Sequence, residues 1–121
     1  MNYAGIRLTE KFVVITQIQI LIIYNVTVNI DNSVHDDWLE WMQRVHIPEV
    51  MMTGMFVENR ICKVLADEES GGSTYSIQYV CNSMKEYEQY RDIFAPALQA
   101  QHTSRYKDKF VAFRTLLEVI K

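Results

Sequence analysis

Acid–base chemistry is most readily assigned to the histidines of this sequence. They are His35, His46 and His102, and no two of them are four residues apart, as a helical pair of metal ligands would be. A histidine near its ordinary pKa of about 6.5 can accept or donate a proton at neutral pH. His46 directly precedes Ile47-Pro48, at the end of a predicted helix. We therefore predict His46 as the acid or base of a site, and no metal site.

A second set of side chains could hold a ligand. The guanidinium of Arg114, in the last predicted strand, could orient a carboxylate or an enolate oxygen. Further candidates for ligand contacts are Asn25, Ser76, Gln78 and Glu118. A structural interpretation stands beside this one. His46 could cap carbonyl groups at a helix C-terminus, and Arg114 could pair with Glu118 across an interface.

The motifs of cofactor-dependent enzymes do not occur in the sequence. It has no G-x-G-x-x-G, no Walker loop, no G-x-S-x-G, no H-E-x-x-H and no C-x-x-C. Two cysteines are too few for a four-thiolate zinc site. We place Cys62 and Cys81 roughly 13 Å apart on neighbouring strands, too far for a disulfide, and expect buried thiols. The sequence thus predicts no cofactor.

Composition limits the class of protein. The chain has 121 residues, with 12 Lys and Arg against 15 Asp and Glu, which gives a net charge of -3. This length suits one domain. An acidic domain is a poor partner for nucleic acid. The apolar run near the N-terminus is short and interrupted by polar residues, so we expect no export signal, no membrane contact and a cytoplasmic protein.

Hydrophobic periodicity predicts the elements that position these side chains. Residues 21–30 alternate strictly, as in a strand buried on one side. Ser33 and Asp36 suggest a capping box for the first helix, and Ser83 and Glu86 one for the second. We expect Pro48 to end or bend the first helix at Ile47. The predicted elements are a strand over 21–30, a helix over 34–46, strands over 55–65 and 74–81, a second helix after Ser83, and a strand over 110–120.

This βαββαβ order predicts an α+β fold of the ferredoxin-like type. The sheet should be antiparallel, with the strand order four, one, three, two and both helices on one face. The uncovered face, called here the open face, is expected to carry Asn25, Thr27, Asn29, Ser76, Gln78, Ala112, Arg114, Leu116 and Glu118. Taking strand three as parallel to strand one, we expect His46 at the same end of the sheet as Asn25, Ser76 and Glu118.

The sequence resembles the dimeric α+β barrel superfamily, several families of which carry an H-x-P at the position of His46-Ile47-Pro48. More specifically, it is similar to a small bacterial domain of unknown function, over residues 22–120. The stretches that carry this similarity are IIYNVTVNID, WLEWMQRVHIPEV, TGMF, YSIQY and FRTLLEVI. The resemblance implies a homodimer whose open faces pack together. It implies no particular activity, although relatives in the superfamily include cofactor-free monooxygenases, small isomerases and haem-degrading enzymes.

The similarity to that domain begins at about Ile22. We therefore interpret residues 1–20 as an N-terminal extension that need not belong to the native domain, and residues 21–121 as the single ferredoxin-like domain. Two functions remain open for this domain. One is a small-molecule site in the barrel cleft, and the other is a non-catalytic dimerisation or regulatory interaction module. RNA binding is disfavoured, because the predicted open face lacks stacking aromatic residues on its central strands.

Overall fold

The computed structural model describes residues 20–66 and 71–121. Within these ranges, four strands and two long helices follow in the order β1-α1-β2-β3-α2-β4. The predicted βαββαβ order and α+β class are confirmed. The proposed N-terminal extension, apart from Ile20, lies outside the described residues. The strands are β1 (Ile22–Asp31), β2 (Glu58–Lys63), β3 (Gly72–Cys81) and β4 (Phe110–Glu118), α1 spans residues 35–52, and α2 spans residues 84–105.

The sheet has the order β2-β3-β1-β4, which confirms the predicted arrangement. Every neighbouring pair is antiparallel, including β1 and β3. The expectation that strand three runs parallel to strand one is therefore wrong. Ile22, at the start of β1, pairs with Cys81 at the end of β3, and Asn25 pairs with Gln78. The reason is topological. α1 returns the chain so that β2 runs parallel to β1, and the short connection from β2 to β3 then makes β3, which lies between them, antiparallel to both.

β1 shows why the sheet has one buried face. Its alternating apolar residues Ile22, Tyr24, Val28 and Ile30 are all buried, on the face that α1 and α2 cover. We call this the helix face. Burial of one set of alternating side chains is what period-two patterning encodes.

The predicted facing of β4 is wrong. Arg114 pairs with Val26 and Ala112 with Val28, so both lie on the helix face, whereas Phe113 pairs with Thr27 on the open face. Phe113 is 61% exposed there. β4 is an edge strand, and because of this position its large apolar residues need not pack beneath the helices. A shift of one residue in facing moves every side chain of the strand to the other face. By the same register, Leu116 and Glu118 also lie on the helix face.

α1 continues past the point where Pro48 was expected to end or bend it. α1 contains a π turn, Met42–His46, just before this proline. There the backbone N–H of Ile47 donates to the carbonyl of Met42, five residues earlier. A proline ring clashes with the carbonyl four residues before it, and the wider π turn lets the helix continue. The three segments of α1 are an α-helix (His35–Trp41), the π turn (Met42–His46) and an α-helix (Ile47–Met52).

α2 likewise contains a π turn just before a proline. Its π turn precedes Pro96, and Ala95 donates its backbone N–H to the carbonyl of Tyr90. Ser83 caps the helix by accepting from the backbone N–H of Glu86, as predicted. The capping box predicted from Ser33 and Asp36 for the first helix is wrong. Asp31 accepts from the backbone N–H of Ser33, and a 3-10 turn precedes α1. The segments of α2 are Met84–Gln89, the π turn Tyr90–Phe94, and Ala95–Arg105.

Both cysteines are free thiols, as expected. Cys62 pairs with Ser76 in the sheet, whereas Cys81 lies at the far end of β3. Cys81 is buried but Cys62 is exposed, so the expectation of a buried Cys62 is wrong. The edge position of β2 explains its exposure. In the part of the chain that the structure describes, no helix is long and apolar enough to cross a membrane.

Candidate ligand-binding site

A cavity of about 40 Å³ lies between the helix face of the sheet and the two helices; we call it the cleft. Both π turns contribute to its wall, Met42 and His46 from α1 and Tyr90 from α2. Such turns insert one extra residue into a helix and frequently occur at functional sites. The other lining residues are Tyr24, Val26, Val28, Ile77, Tyr79, Gln99, His102, Thr103, Phe110, Ala112 and Arg114.

His46 is the last residue of the π turn of α1 and lines the cleft. Its ring stacks on Trp41, with centroids 5.1 Å apart and planes 27° apart. The Nδ1 atom is buried and has no hydrogen-bond partner among the described residues. An unsatisfied polar atom in a protein interior costs about 1–3 kcal/mol, so its presence calls for an explanation.

The pKa of His46 is lowered from 6.5 to about 4, first by burial and then by the charge of Arg114. The imidazole is therefore neutral at physiological pH, with one nitrogen carrying a proton and the other offering a lone pair. In either tautomer, the buried Nδ1 is a hydrogen-bonding group without a partner among the described residues. A ligand or a water molecule could satisfy it.

His102, on α2, contacts His46 through its ring, with centroids 5.9 Å apart. The indole N–H of Trp38 donates to Nε2 of His102 at 2.9 Å, which assigns the proton of the neutral imidazole to Nδ1. Burial, then the charges of His46 and Arg114, lower the pKa of His102 to about 4. His102 is thus fixed in one neutral tautomer by Trp38, whereas no described residue fixes His46 through a hydrogen bond.

Arg114 reaches the cleft from β4. Its Nε donates to the hydroxyl of Tyr24 at 3.0 Å. The structure gives Arg114 no ion pair with any described residue. Burial raises the pKa of Tyr24, and the guanidinium opposes this rise, as does a side-chain hydrogen bond from Gln99. Arg114 therefore places a positive charge without a carboxylate partner beside a buried phenol and His46.

A cluster of aromatic rings lies beside His46 and Arg114. Tyr24 stacks on Tyr79 and on Phe56 at centroid distances of 6.0 and 6.1 Å, and Tyr90 contacts both Tyr24 and Phe56. Burial raises the pKa of Tyr79 and of Tyr90. These phenols are therefore protonated and act as neutral donors, not as bases.

The predicted site residues divide between the two faces of the sheet. His46 and Arg114 come together in the cleft, although Arg114 arrives from the face opposite to the one predicted. Asn25, Ser76 and Gln78 lie on the open face, beyond the sheet from His46. Glu118 pairs with Ile22 on the helix face, at the end of β4, and does not line the cleft. The expectation that His46 shares an end of the sheet with Ser76 depended on the wrong direction of strand three.

On the open face, the predicted polar residues bind one another. The Ser76 hydroxyl donates to the side-chain oxygen of Asn25 at 2.6 Å, and the Asn25 amide donates to Thr27 at 3.1 Å. The Gln78 amide donates to Ser76 at 3.3 Å. This open-face network satisfies its members internally, so it does not need a ligand in order to be stable.

The sequence analysis did not identify the polar cleft residues Tyr24, Tyr79, Tyr90, Gln99 and Thr103 as site residues, and it weighed His102 only as a metal ligand. The sequence does contain a pattern that places Gln99 and His102 on the inner face of α2. Ala95, Gln99, His102 and Tyr106 follow the three- and four-residue spacing of one helix face, and three of these four are buried. That stripe predicts that Gln99 and His102 point inward. No group of three or more metal-ligating side chains occurs among the described residues.

The fold and the cleft can now be compared with known proteins. Residues 21–120 match the model of the family described as Domain of unknown function (DUF4286), and the chain belongs to this family. The resemblance drawn from the sequence is thereby confirmed. No curated protein gives a significant match to the chain.

Solved structures show the same fold at low sequence identity. An ethyl tert-butyl ether D (EthD) family protein from Bacillus halodurans superposes with a TM-score of 0.62 at 9% identity, covering 82% of this chain and 99% of its own. A dimeric ferredoxin-like protein from an uncultured marine organism gives 0.62 at 11%, covering 83% and 95%. SnoaB, a cofactor-independent oxygenase from Streptomyces nogalater, gives 0.58 at 12%, covering 83% and 94%. At these identities the likeness establishes the ferredoxin-like fold, that of the dimeric α+β barrel proteins.

Proposed function

We propose that this protein binds a small organic molecule in the cleft between the helix face and the two helices. The observation that carries this proposal is the buried, unpartnered Nδ1 of His46, at a cavity that Arg114 also lines. A histidine that served only to fill the core would be paired, as His102 is by Trp38. A ligand with a complementary polar group removes the cost of the unpaired nitrogen.

In this proposal, His46 is the acid–base group and Arg114 orients an oxygen of the ligand. With a pKa of about 4, His46 is a weak base at neutral pH in the empty cleft. A negative charge bound at Arg114 would offset the smaller of the two causes of that low pKa, the charge of Arg114, and so raise the pKa of His46. Binding would therefore prepare His46 to accept a proton. Cofactor-independent chemistry of this kind fits the fold of SnoaB, described as a cofactor-independent oxygenase.

A thermal-shift screen with a library of metabolites tests the proposed binding. We expect at least one compound to raise the melting temperature of the wild type but not of His46→Ala or Arg114→Ala. Arg91→Ala is the matched control, because Arg91 is exposed on α2 and pairs only with its neighbour Asp92. It should respond like the wild type. If no compound stabilises the wild type, or if all variants respond equally, the cleft is not a binding site.

We propose further that the protein is a homodimer in which two open faces pack together. Support comes from apolar side chains on this uncovered surface, Val111 at 70% and Phe113 at 61% exposure, with Leu117 beyond Thr115 on the same strand face. A monomer has little reason to keep neighbouring large apolar side chains in water. Asn25, Ser76 and Gln78 would then line the space between the two sheets. Light scattering at micromolar concentration should give twice the chain mass of 14.2 kDa, and a monomer mass would refute the dimer.

The dimer supports the second candidate function, a non-catalytic dimerisation or regulatory module. The open-face network favours it because the polar groups there bind each other. The two candidates differ in the cleft. A protein that dimerises normally but binds no compound in the cleft would be an interaction module only.

A further inference from the structure

We infer that Trp41 is a positioning residue for His46, because its indole ring stacks on the imidazole and holds it in the wall of the cleft. This inference rests on the proposed function, in which His46 is the acid–base group, and adds the residue that fixes the position of that group. Three features carry it: the stack of the two rings, the π turn of α1 between them, and the contacts that hold the indole from α2.

Ring contacts hold the imidazole of His46. Its buried Nδ1 has no hydrogen-bond partner among the described residues. The Trp41 ring lies against it with centroids 5.1 Å and planes 27° apart, whereas the His102 ring meets it edge-on at 5.9 Å. Aromatic pairs of such geometry contribute about 0.5–1.5 kcal/mol beyond the burial of their area. The stack on Trp41 therefore covers one face of the imidazole and sets its plane.

The π turn of α1 makes this stack possible. Trp41 directly precedes the turn Met42–His46, and His46 ends it, so the two residues are five positions apart. In a regular α-helix, side chains five positions apart point about 140° away from each other around the axis and cannot stack. In the π turn, Ile47 donates to the carbonyl five residues earlier, and this wider ring brings His46 back over Trp41.

Residues at the C-terminal end of α2 hold the indole of Trp41. The guanidinium carbon of Arg105 lies 5.5 Å from the indole centroid, within the range of a cation–π contact, and the Tyr106 ring meets the indole edge-on at 5.6 Å. Both residues are also tied to Asp37 of α1. The Tyr106 hydroxyl donates to its carboxylate at 2.8 Å, and Arg105 forms an ion pair with it at 3.5 Å. The indole is thus fixed between the two helices.

Trp41 also separates His46 from water. With Val45 and Arg105, the indole lines an open groove on the outside of α1 and α2, whereas His46 lines the cleft. Without the indole, one face of the imidazole would meet the water of this groove. Burial is the main cause of the low pKa of His46, so the loss of Trp41 should raise this pKa. The other titratable groups that line the cleft would stay in place: Arg114 on β4, His102 and Tyr90 on α2, Tyr24 on β1 and Tyr79 on β3.

NMR titration of the imidazole resonances of Trp41 variants tests this role. Trp41→Leu removes the ring and should raise the pKa of His46 by at least about one unit, a tenfold change in proton affinity. Trp41→Phe keeps a ring that can stack and should give a smaller rise. His102, whose Nε2 accepts from Trp38, should change less than His46 in both variants.

Val34→Ala is the matched control. Val34 packs against the core from the turn before α1, and no ring contact joins it to His46. This variant should lower the free energy of unfolding, measured by urea denaturation, without changing the pKa of His46. If Trp41→Leu does not fold, Trp41→Met takes its place, since methionine keeps apolar bulk but has no ring.

A role of Trp41 in packing alone predicts a different result. The variants without the ring would then lose stability while the pKa of His46 stayed within about 0.3 unit of the wild-type value, and this result would overturn the inference. Equal rises in the pKa of His46 and His102 would also overturn it, because they would report a general loosening of the core.

The titration needs no ligand, so it separates this inference from the proposed function. If the pKa of His46 responds as expected while the thermal-shift screen finds no ligand, the positioning role stands and the binding function fails. If the screen finds a compound that requires His46 but the pKa does not respond, the inference alone fails. For any such compound, we expect Trp41→Leu to weaken binding by at least about tenfold and Trp41→Phe to weaken it less.

Discussion

The two faces of the same sheet treat their polar groups in opposite ways. On the open face, Asn25, Thr27, Ser76 and Gln78 bind one another in a continuous series. On the helix face, burial is deeper, yet His46 keeps a buried nitrogen without a partner among the described residues, beside the exposed guanidinium of Arg114. A polar group in water or in a network is inexpensive, whereas an unpaired group in a cleft is costly. The face that tolerates such a cost is the better candidate for function.

The comparison of the two faces predicts the largest loss of stability for the truncation of a buried aromatic residue on the helix face. Trp38 is fully buried and donates to His102. Trp38→Ala should lower the free energy of unfolding by about 3–5 kcal/mol, through the cavity and the lost hydrogen bond. Urea denaturation measures this change.

The control for Trp38 lies on the open face. Val111→Ala, at a position 70% exposed, should change the free energy of unfolding of the monomer by less than about 0.5 kcal/mol. Comparable losses for the two variants would mean that the faces do not differ in packing as described.

Acid should destabilise the helix face next. The pKa of both His46 and His102 is lowered to about 4 in the folded protein, against about 6.5 when unfolded. Between these values the unfolded chain binds more protons, so stability falls as the pH drops from about 6.5 to about 4. The loss amounts to at most about 3 kcal/mol for each histidine. Midpoints of urea denaturation at half-unit pH intervals measure it.

This pH window separates the histidines from the carboxylates. The pKa values of Asp31 and Asp92 are lowered below 3.8 by hydrogen bonds, from Ser33 and Arg91 respectively, so their contribution changes only under more acid conditions. A double variant, His46→Gln with His102→Gln, should show a flat midpoint between pH 6.5 and 4.5. A slope that survives in this variant would assign the acid sensitivity to other groups.

The open-face network should respond more weakly. Ser76→Ala removes the donor to Asn25 and the acceptor for Gln78, in a partly buried setting. We expect a loss of about 0.5–1.5 kcal/mol in the free energy of unfolding. Thr115→Ala, which faces the same side from β4, serves as the control. A loss above about 3 kcal/mol for Ser76→Ala would place this network on a par with the core.

The smallest effect on the stability of the monomer is predicted for Phe113. Its side chain is 61% exposed, so Phe113→Asp should hardly change the free energy of unfolding measured under dilute conditions. The same variant should convert the proposed dimer to a monomer, because a charge would enter the centre of an apolar contact. Light scattering of the variant beside the wild type measures the mass. A variant that remains dimeric would place the interface on another surface.

Local patterns were sufficient for the elements and their order. The alternation of β1 and the capping of α2 by Ser83 depend on neighbours within a few residues, and both predictions are confirmed. The strand order also followed, because crossover handedness leaves few topologies for βαββαβ. The π turns were not predicted, since a proline inside a helical pattern is equally compatible with a break, a bend or a widened turn.

The sequence by itself was enough to predict the ferredoxin-like fold and the family, and to identify His46 and Arg114 as candidate site residues. Only the tertiary structure decided that these two meet on the helix face while Asn25, Ser76 and Gln78 lie on the other side of the sheet. The facing of an edge strand depends on its register against β1, which local hydrophobicity does not encode when large apolar residues occupy both faces. The unpaired state of His46 depends likewise on what α2 and β4 bring to it across more than fifty residues of chain. Such pairings are properties of the packed molecule, because they exist only once the distant segments have met.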